Sequence, residues 1–205
     1  MLWLCKTRIS NRGIEADNSE FNNTATPLGD SSMWNFTIIG SGLAGLDEAS
    51  APGIYLRRGA LGTYNNMIVT NFASTGVQLD NAPTLANIDN NSTKMNGILL
   101  WNNGRTANAP NSVAGQVNTD ILTFAQGSRG QGRNFVVADP LLIRPLEFSD
   151  PDFRPLTGSP VFRANWIQPP DDGFFDQTAN FIGAFGEVNW TEEWASFLQE
   201  QDIRP

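Results

Sequence analysis

Few residues in this chain could do bond-making chemistry, and their types narrow the choice quickly. The 205 residues include no histidine, one cysteine (Cys5) and two lysines, with 21 acidic against 13 basic side chains. Without imidazole there is no Ser-His-Asp or Cys-His nucleophile and no histidine-based zinc site. A single cysteine excludes an intrachain disulfide, a thiolate zinc cluster and a CxxC redox pair. A net charge of −8 opposes nucleic-acid binding, which needs clustered cations to neutralise phosphates. Carboxylate, arginine and aromatic chemistry remain. Glu15, Asp17 and Asp80 have the groups for acid, base or calcium-ligand roles, Arg57 leaves open an arginine-based lyase, and Tyr55 and Trp101 could stack on sugar rings.

These six residues fall in one recurring phrase: Gly, a β-branched residue, any residue, a small or aliphatic residue, any residue, then often Asn. Its copies are Gly13-Ile14-Glu15-Ala16-Asp17-Asn18, Gly53-Ile54-Tyr55-Leu56-Arg57-Arg58, Gly76-Val77-Gln78-Leu79-Asp80-Asn81 and Gly97-Ile98-Leu99-Leu100-Trp101-Asn102. The last three start 23 and then 21 residues apart. A second phrase lies between them, as Asn35-Phe36-Thr37-Ile38-Ile39 and Asn66-Met67-Ile68-Val69-Thr70. Short strands with Gly and Asn at their corners and a period of about 20–25 residues indicate a parallel β-solenoid. A β-sandwich would instead want hairpin dipeptides between the runs. Side-chain alternation puts Ile14, Ala16, Ile54, Leu56, Val77, Leu79, Ile98 and Leu100 inside, with Asn18, Asn81 and Asn102 stacked at an inward corner. It places Asp17, Arg57, Asp80 and Trp101 in one outward column, and Glu15, Tyr55, Gln78 and Leu99 in its neighbour. Asp17, Arg57 and Asp80 alternate in sign, so a solvated salt ladder accounts for them without any function.

Beyond Asn108 the pattern changes. Val113, Val117, Ile121 and Phe124 have near-helical spacing and predict a short helical insertion. In the aromatic tail, Trp190, Trp194, Phe197 and Leu198 form one face of a short capping helix. The expected organisation is β-helix coils over 1–165 and a capping segment over 166–205. No apolar run is long enough to span a membrane. The opening Met1–Arg8 lacks the order of a signal peptide and reads as a truncated start.

Asp139-Pro140-Leu141, with Asp152-Phe153-Arg154-Pro155-Leu156-Thr157-Gly158-Ser159-Pro160, resembles the closing coil of secreted bacterial right-handed parallel β-helix proteins. Arg12-Gly13-Ile14-Glu15-Ala16-Asp17-Asn18, Leu56-Arg57-Arg58-Gly59 and Phe181-Ile182-Gly183-Ala184-Phe185 with Asn189-Trp190-Thr191 resemble one subgroup. Those are large surface or exported β-helix proteins of unassigned biochemical role. The resemblance covers about residues 12 to 195 and implies an all-β, right-handed parallel β-helix with an aromatic C-terminal cap. It further implies an extracellular or cell-surface location and a missing N-terminal part of a longer chain, and it lends no catalytic motif.

The expected function is a structural or adhesive segment without catalysis. The alternative is a carbohydrate-binding or polysaccharide-cleaving β-helix using Glu15, Asp17, Tyr55, Arg57, Asp80 and Trp101, with a polysaccharide or cell-surface glycan as partner. Pectin-hydrolysing β-helix enzymes carry Gly-His-Gly and Arg-Ile-Lys phrases, and this chain has neither. No cofactor is expected; Ca2+ has no motif behind it, since Asp89-Asn90-Asn91 lacks the ligand spacing of a dedicated loop.

Overall fold

The computed structural model describes residues 2–4, 12–40, 52–72, 74–104, 112–115, 119–120, 134–147, 149–163, 165–192 and 195. In chain order the elements are β1 (Leu2–Leu4), β2 (Ile14–Ala16), β3 (Asp30–Ile39), β4 (Ile54–Leu56), β5 (Leu61–Thr70), β6 (Val77–Leu79), α1 (Ala82–Asp89) and β7 (Thr93–Trp101). They continue with β8 (Ser112–Gly115), β9 (Thr119–Asp120), β10 (Phe135–Val137), β11 (Leu142–Arg144) and β12 (Asp152–Pro155). One sheet has the order β1-β3-β5-β7-β10 and the other β2-β4-β6-β8-β9. Apart from the antiparallel β8–β9 pair, every pairing in both is parallel. A chain that alternates between two parallel sheets as it advances is a β-helix, each coil adding a rung to both sheets.

The rungs stack like residues on like. Ile14, Ile54 and Val77 are in register, as are Ala16, Leu56 and Leu79. In the longer strands Met33, Tyr64 and Met95 align, then Phe36, Met67 and Ile98, then Ile38, Val69 and Leu100. All of these belong to one apolar core. The inward triplets begin at positions 33, 36 and 38, so alternation slips once, at Asn35. Asn35, Asn66 and Gly97 have φ of 54°, 55° and 64° and drop out of the register. A left-handed residue turns the strand there without ending it, and Asn and Gly are the types that tolerate it. Gly97 is fixed twice over, since a Cβ there would sit 2.7 Å from Asn66 Oδ1.

The Gly of the repeated phrase has another cause. A Cβ on Gly13, Gly53 or Gly76 would collide with Ile38, Val69 or Leu100. Those three residues form one inner column, so the glycines mark the edge where the two sheets come closest.

This geometry corrects three expectations. The phrase at Gly97 is a rung of the longer sheet, 31 residues on from Asn66 as Asn66 is from Asn35; it does not follow Gly76 in the short-strand sheet. The asparagine stack is therefore not Asn18-Asn81-Asn102. Asn102 Nδ2 donates to Asn71 Oδ1 at 2.9 Å and Asn71 Nδ2 to the Gly40 carbonyl at 2.9 Å. Asn81 Oδ1 instead accepts from Arg58 N–H at 2.8 Å, and Asn18 Nδ2 donates to the carbonyls of Asn23 and Ala25.

Third, the helix does not lie at 113–124. Val113 pairs with Val77 in β8, and Thr119 and Asp120 form β9. A spacing of four suits a strand face as well as a helix, and the parallel ladder decides it. Val117, Ile121 and Phe124 lie outside the described residues. The inserted helix is α1, with Pro83 in its first turn and Leu85 and Ile88 buried. It is tied to the preceding coil where Gly59 N–H donates to Thr84 Oγ1 and Asn87 Nδ2 to the Gly59 carbonyl. No helix among the described residues is long and apolar enough to cross a membrane.

The closing phrase forms the antiparallel β11–β12 pair. Fully buried Ser159 donates to the Pro140 carbonyl at 2.7 Å and accepts from Val161 N–H. Arg154 binds both oxygens of buried Asp152. Ser159→Ala leaves the Pro140 carbonyl without that donor and should cost about 1–3 kcal/mol in denaturant unfolding. An unchanged midpoint would mean that this bond does not hold the coil closed.

From Val161 the described chain becomes a strap of turns along the outer flank. Ile182 and Val161 cover the outward Ile68 and Leu99, and Phe185 with Phe153 covers Ile39. The corner asparagines hold the strap. Asn66 Nδ2 donates to the Ile167 carbonyl at 2.7 Å and Asn66 Oδ1 accepts Ile167 N–H at 2.8 Å. Asn35 Nδ2 donates to the Phe181 carbonyl at 2.7 Å, and Thr37 Oγ1 accepts Ala184 N–H. Trp190 Nε1 donates to the Ala184 carbonyl while its ring stacks on Phe185 at 4.9 Å. Trp194, Phe197 and Leu198, expected in a capping helix, lie outside the described residues.

Candidate functional site

Glu15, Tyr55 and Gln78 are in register across β2, β4 and β6. Their side chains alternate with the core residues and so point outward. The ladder runs one residue further, with Arg57 N–H donating to the Ala16 carbonyl and Asp80 N–H to that of Leu56. Asp17, Arg57 and Asp80 thus stand beside the first column. Five of the six sequence candidates share this face. Trp101 does not: it ends β7, in register with Thr70 of the other sheet.

The face is bound up in its own interactions. Arg57 Nη2 lies 2.6 Å from Glu15 and 2.9 Å from Asp17, and Arg57 Nε also donates to Asp17 Oδ2. Arg58 reaches the same Asp17 oxygen at 3.0 Å and Glu20 at 3.3 Å, while Arg12 pairs with Glu15 at 3.1 Å. Asp80 Oδ2 accepts both the Tyr55 hydroxyl at 2.6 Å and Gln78 Nε2 at 2.9 Å. The guanidinium carbons of Arg12 and Arg57 lie 5.0 and 5.2 Å from the centre of the Tyr55 ring, which is 8% exposed. Such a ring offers no platform to a sugar. Asp17 Oδ1 and Arg12 Nε are sheltered and have no partner among the described residues.

Electrostatics follow the contacts. Burial works to lower the Arg57 pKa, but Asp17 and Glu15 outweigh it and hold the group above its ordinary value. Burial first, then the bond to the Asp80 carboxylate, raises the Tyr55 pKa. Burial also pushes Tyr64 up to about 12, with Asp30 adding to it. A tyrosine whose folded pKa is raised favours the native state below its unfolded value of about 10, and that advantage is lost as pH rises through the folded value. Stability should therefore fall between about pH 10 and 12 as tyrosinate absorbance appears. Tyr64→Phe should flatten that decline. An unaltered alkaline decline in Tyr64→Phe would exclude the linkage.

Glu15 and Asp17 are clamped by one guanidinium, and Asp80 accepts two donors, so each carboxylate is engaged within the face. Among the described residues no group of His, Cys, Asp and Glu gathers to hold a metal ion.

A further feature, a cleft, was not visible in the sequence. A cleft of about 510 Å3 opens between the outer side of β3 and the strap, lined by Trp34, Phe174, Phe175, Asp176, Glu187 and Trp190 among others. Its walls come from residues about 140 positions apart in an aperiodic segment, so no repeat signals it. Trp190, expected on the apolar face of a capping helix, is 37% exposed here.

Residues 1–139 match the family model described as a pectate-lyase-like beta helix domain. No curated protein and no solved structure matches the chain. The matched span takes in the coils and the charged face; β11, β12 and the strap lie beyond it.

Proposed function

We propose, from the premise that this chain belongs to the pectate-lyase-like β-helix domain family, that it is a non-catalytic structural or adhesive segment of an exported or cell-surface bacterial protein. Its winding is right-handed, the hand taken by nearly all parallel strand–crossover–strand connections. The observation that carries the reading is the Arg57 clamp on Glu15 and Asp17. The outward carboxylates neutralise neighbouring rungs and so remove like-charge repulsion from the stack. A polysaccharide lying on this face would have to displace Arg12 and Arg57 from their partners before reaching any carboxylate.

The alternative, a polysaccharide-binding or -cleaving β-helix working from this face, makes an opposite forecast. Purified protein would be incubated with acidic and neutral polysaccharides, with and without Ca2+, and reducing ends and unsaturated products followed. No release above background is expected, and Arg57→Ala should lower the unfolding midpoint without altering any such signal. Product formation that Arg57→Ala or Asp17→Asn abolishes in a folded protein would overturn the structural reading.

A further inference from the structure

The cleft beside β3 carries charge and ring geometry that the charged face lacks. None of the described residues lining it is Lys or Arg, whereas Asp176 and Glu187 both contribute carboxylates. Asp176 Oδ1 accepts the Thr178 hydroxyl at 2.7 Å and its N–H at 2.8 Å. The hydroxyl first, then the amide, holds its carboxyl below the usual range and keeps it ionised. No hydrogen bond to Asp176 Oδ2 and no ion pair of Glu187 occurs among the described residues.

The rings are set at angles. Phe174 meets Phe175 edge-on, at 5.0 Å and 88°, and Trp34 tilts against Phe175 at 5.9 Å and 57°. Phe174 is 83% exposed although it is large and apolar. Sugar rings stack on flat, open aromatic platforms. Non-parallel rings can wall a box that presents π faces to a compact cation. An anionic ligand is repelled by two carboxylates, and an uncharged one can meet them through hydrogen-bond donors but gains no net charge attraction. The volume lies in the range of about 300–1,000 Å3 usual for small-ligand sites.

We propose that this cleft binds a choline-like quaternary ammonium group, caged by Trp34, Phe174 and Phe175 and neutralised by Asp176 and Glu187. The ammonium could be free, attached to a soluble polymer or presented on a lipid headgroup. The shared chemistry is a methylated cation that keeps an apolar surface and loses little hydration on entering the cage.

The test is calorimetric and tryptophan-fluorescence titration of the full chain with choline, with tetramethylammonium, and with the uncharged isostere in which carbon replaces nitrogen. Both cations should bind, the isostere at least about tenfold more weakly, and added salt should weaken the cations alone. Phe174→Ala changes an exposed ring and should leave folding intact while weakening choline at least about fivefold. The double variant Asp176→Asn, Glu187→Gln should do the same and narrow the preference over the isostere to what the rings alone confer.

Equal binding of choline and isostere, or no choline binding by a folded chain, overturns the proposal. So does tight binding of a neutral oligosaccharide that choline does not displace. Co-sedimentation with phosphatidylcholine vesicles but not phosphatidylglycerol vesicles assigns the headgroup as the source. Binding of free choline without vesicle capture assigns a soluble or polymer-borne one.

Discussion

Asn66→Ala should lower the unfolding free energy by about 3 kcal/mol, because two hydrogen bonds fail at one buried point. Asn66 is fully buried and its amide makes both a donor and an acceptor contact with the Ile167 peptide, while its backbone has a φ of 55°. Alanine supplies neither bond and is a poor left-handed residue. Two further variants separate these causes. Asn66→Gly keeps the backbone free to turn but loses the amide, so it should recover only the conformational part, about 1 kcal/mol. Asn66→Asp keeps an acceptor for Ile167 N–H and faces its carbonyl with a second acceptor, so it should be no better than alanine at neutral pH. Urea unfolding, with limited proteolysis of the 165–190 region, measures all three. A wild-type midpoint and an uncleaved strap in Asn66→Ala would show that the corner asparagine does not hold the strap.

Gly53→Ala should be comparably damaging, by about 3 kcal/mol, through overpacking. The new Cβ would run into the Val69 side chain and lie 2.8 Å from the Gly76 carbonyl oxygen of the next rung. Side chains yield more readily than a backbone carbonyl paired in a ladder; Ile54 N–H already donates to that oxygen at 2.9 Å. Val69→Ala alone opens a core void and should also destabilise, by about 2 kcal/mol. Combined with Gly53→Ala, however, it removes the side-chain half of the collision. The double variant should therefore be less destabilised than the sum of the singles by about 1 kcal/mol. Strict additivity would mean that the glycine column is not there to admit the Ile38-Val69-Leu100 column.

The sequence carried the coils because the same inward triplets recur along it. The inner and outer assignments of Ile14, Ile54 and Val77 against Glu15, Tyr55 and Gln78 follow from alternation alone, and the registers agree. Gly97 misled because one residue type answers two physical demands. At Gly13, Gly53 and Gly76 a side chain has no room, while at Gly97 the backbone also turns left-handed, as it does at Asn35 and Asn66. Only the pairing of β5 with β7 distinguishes them. For the same reason Trp101, expected beside Asp80, lies in the other sheet, whereas the other five candidates share a face. The pairing of Tyr55 with Asp80, two residues beyond its register partner Gln78, depends on a rotamer that no spacing encodes. The strap and its cleft were illegible because their contacts join Asn35 to Phe181 and Asn66 to Ile167, across loops with no period.

The strap also separates the protein's assembly in time. Asn35, Asn66, Ile68 and Leu99 leave the ribosome well before Ile167 and Ile182, by several seconds at about 5–20 residues per second. For that interval the nascent coils carry an apolar flank and two unanswered amides, a template shaped for one particular stretch of chain. Any copy of the strap fits it, including one from a neighbouring ribosome on the same message. Crowded synthesis therefore opens a route to exchanged straps, each closing its neighbour's flank, in competition with the tethered one. Such pairs would show as dimers that dilution does not separate and that unfolding and refolding at low concentration converts to monomers.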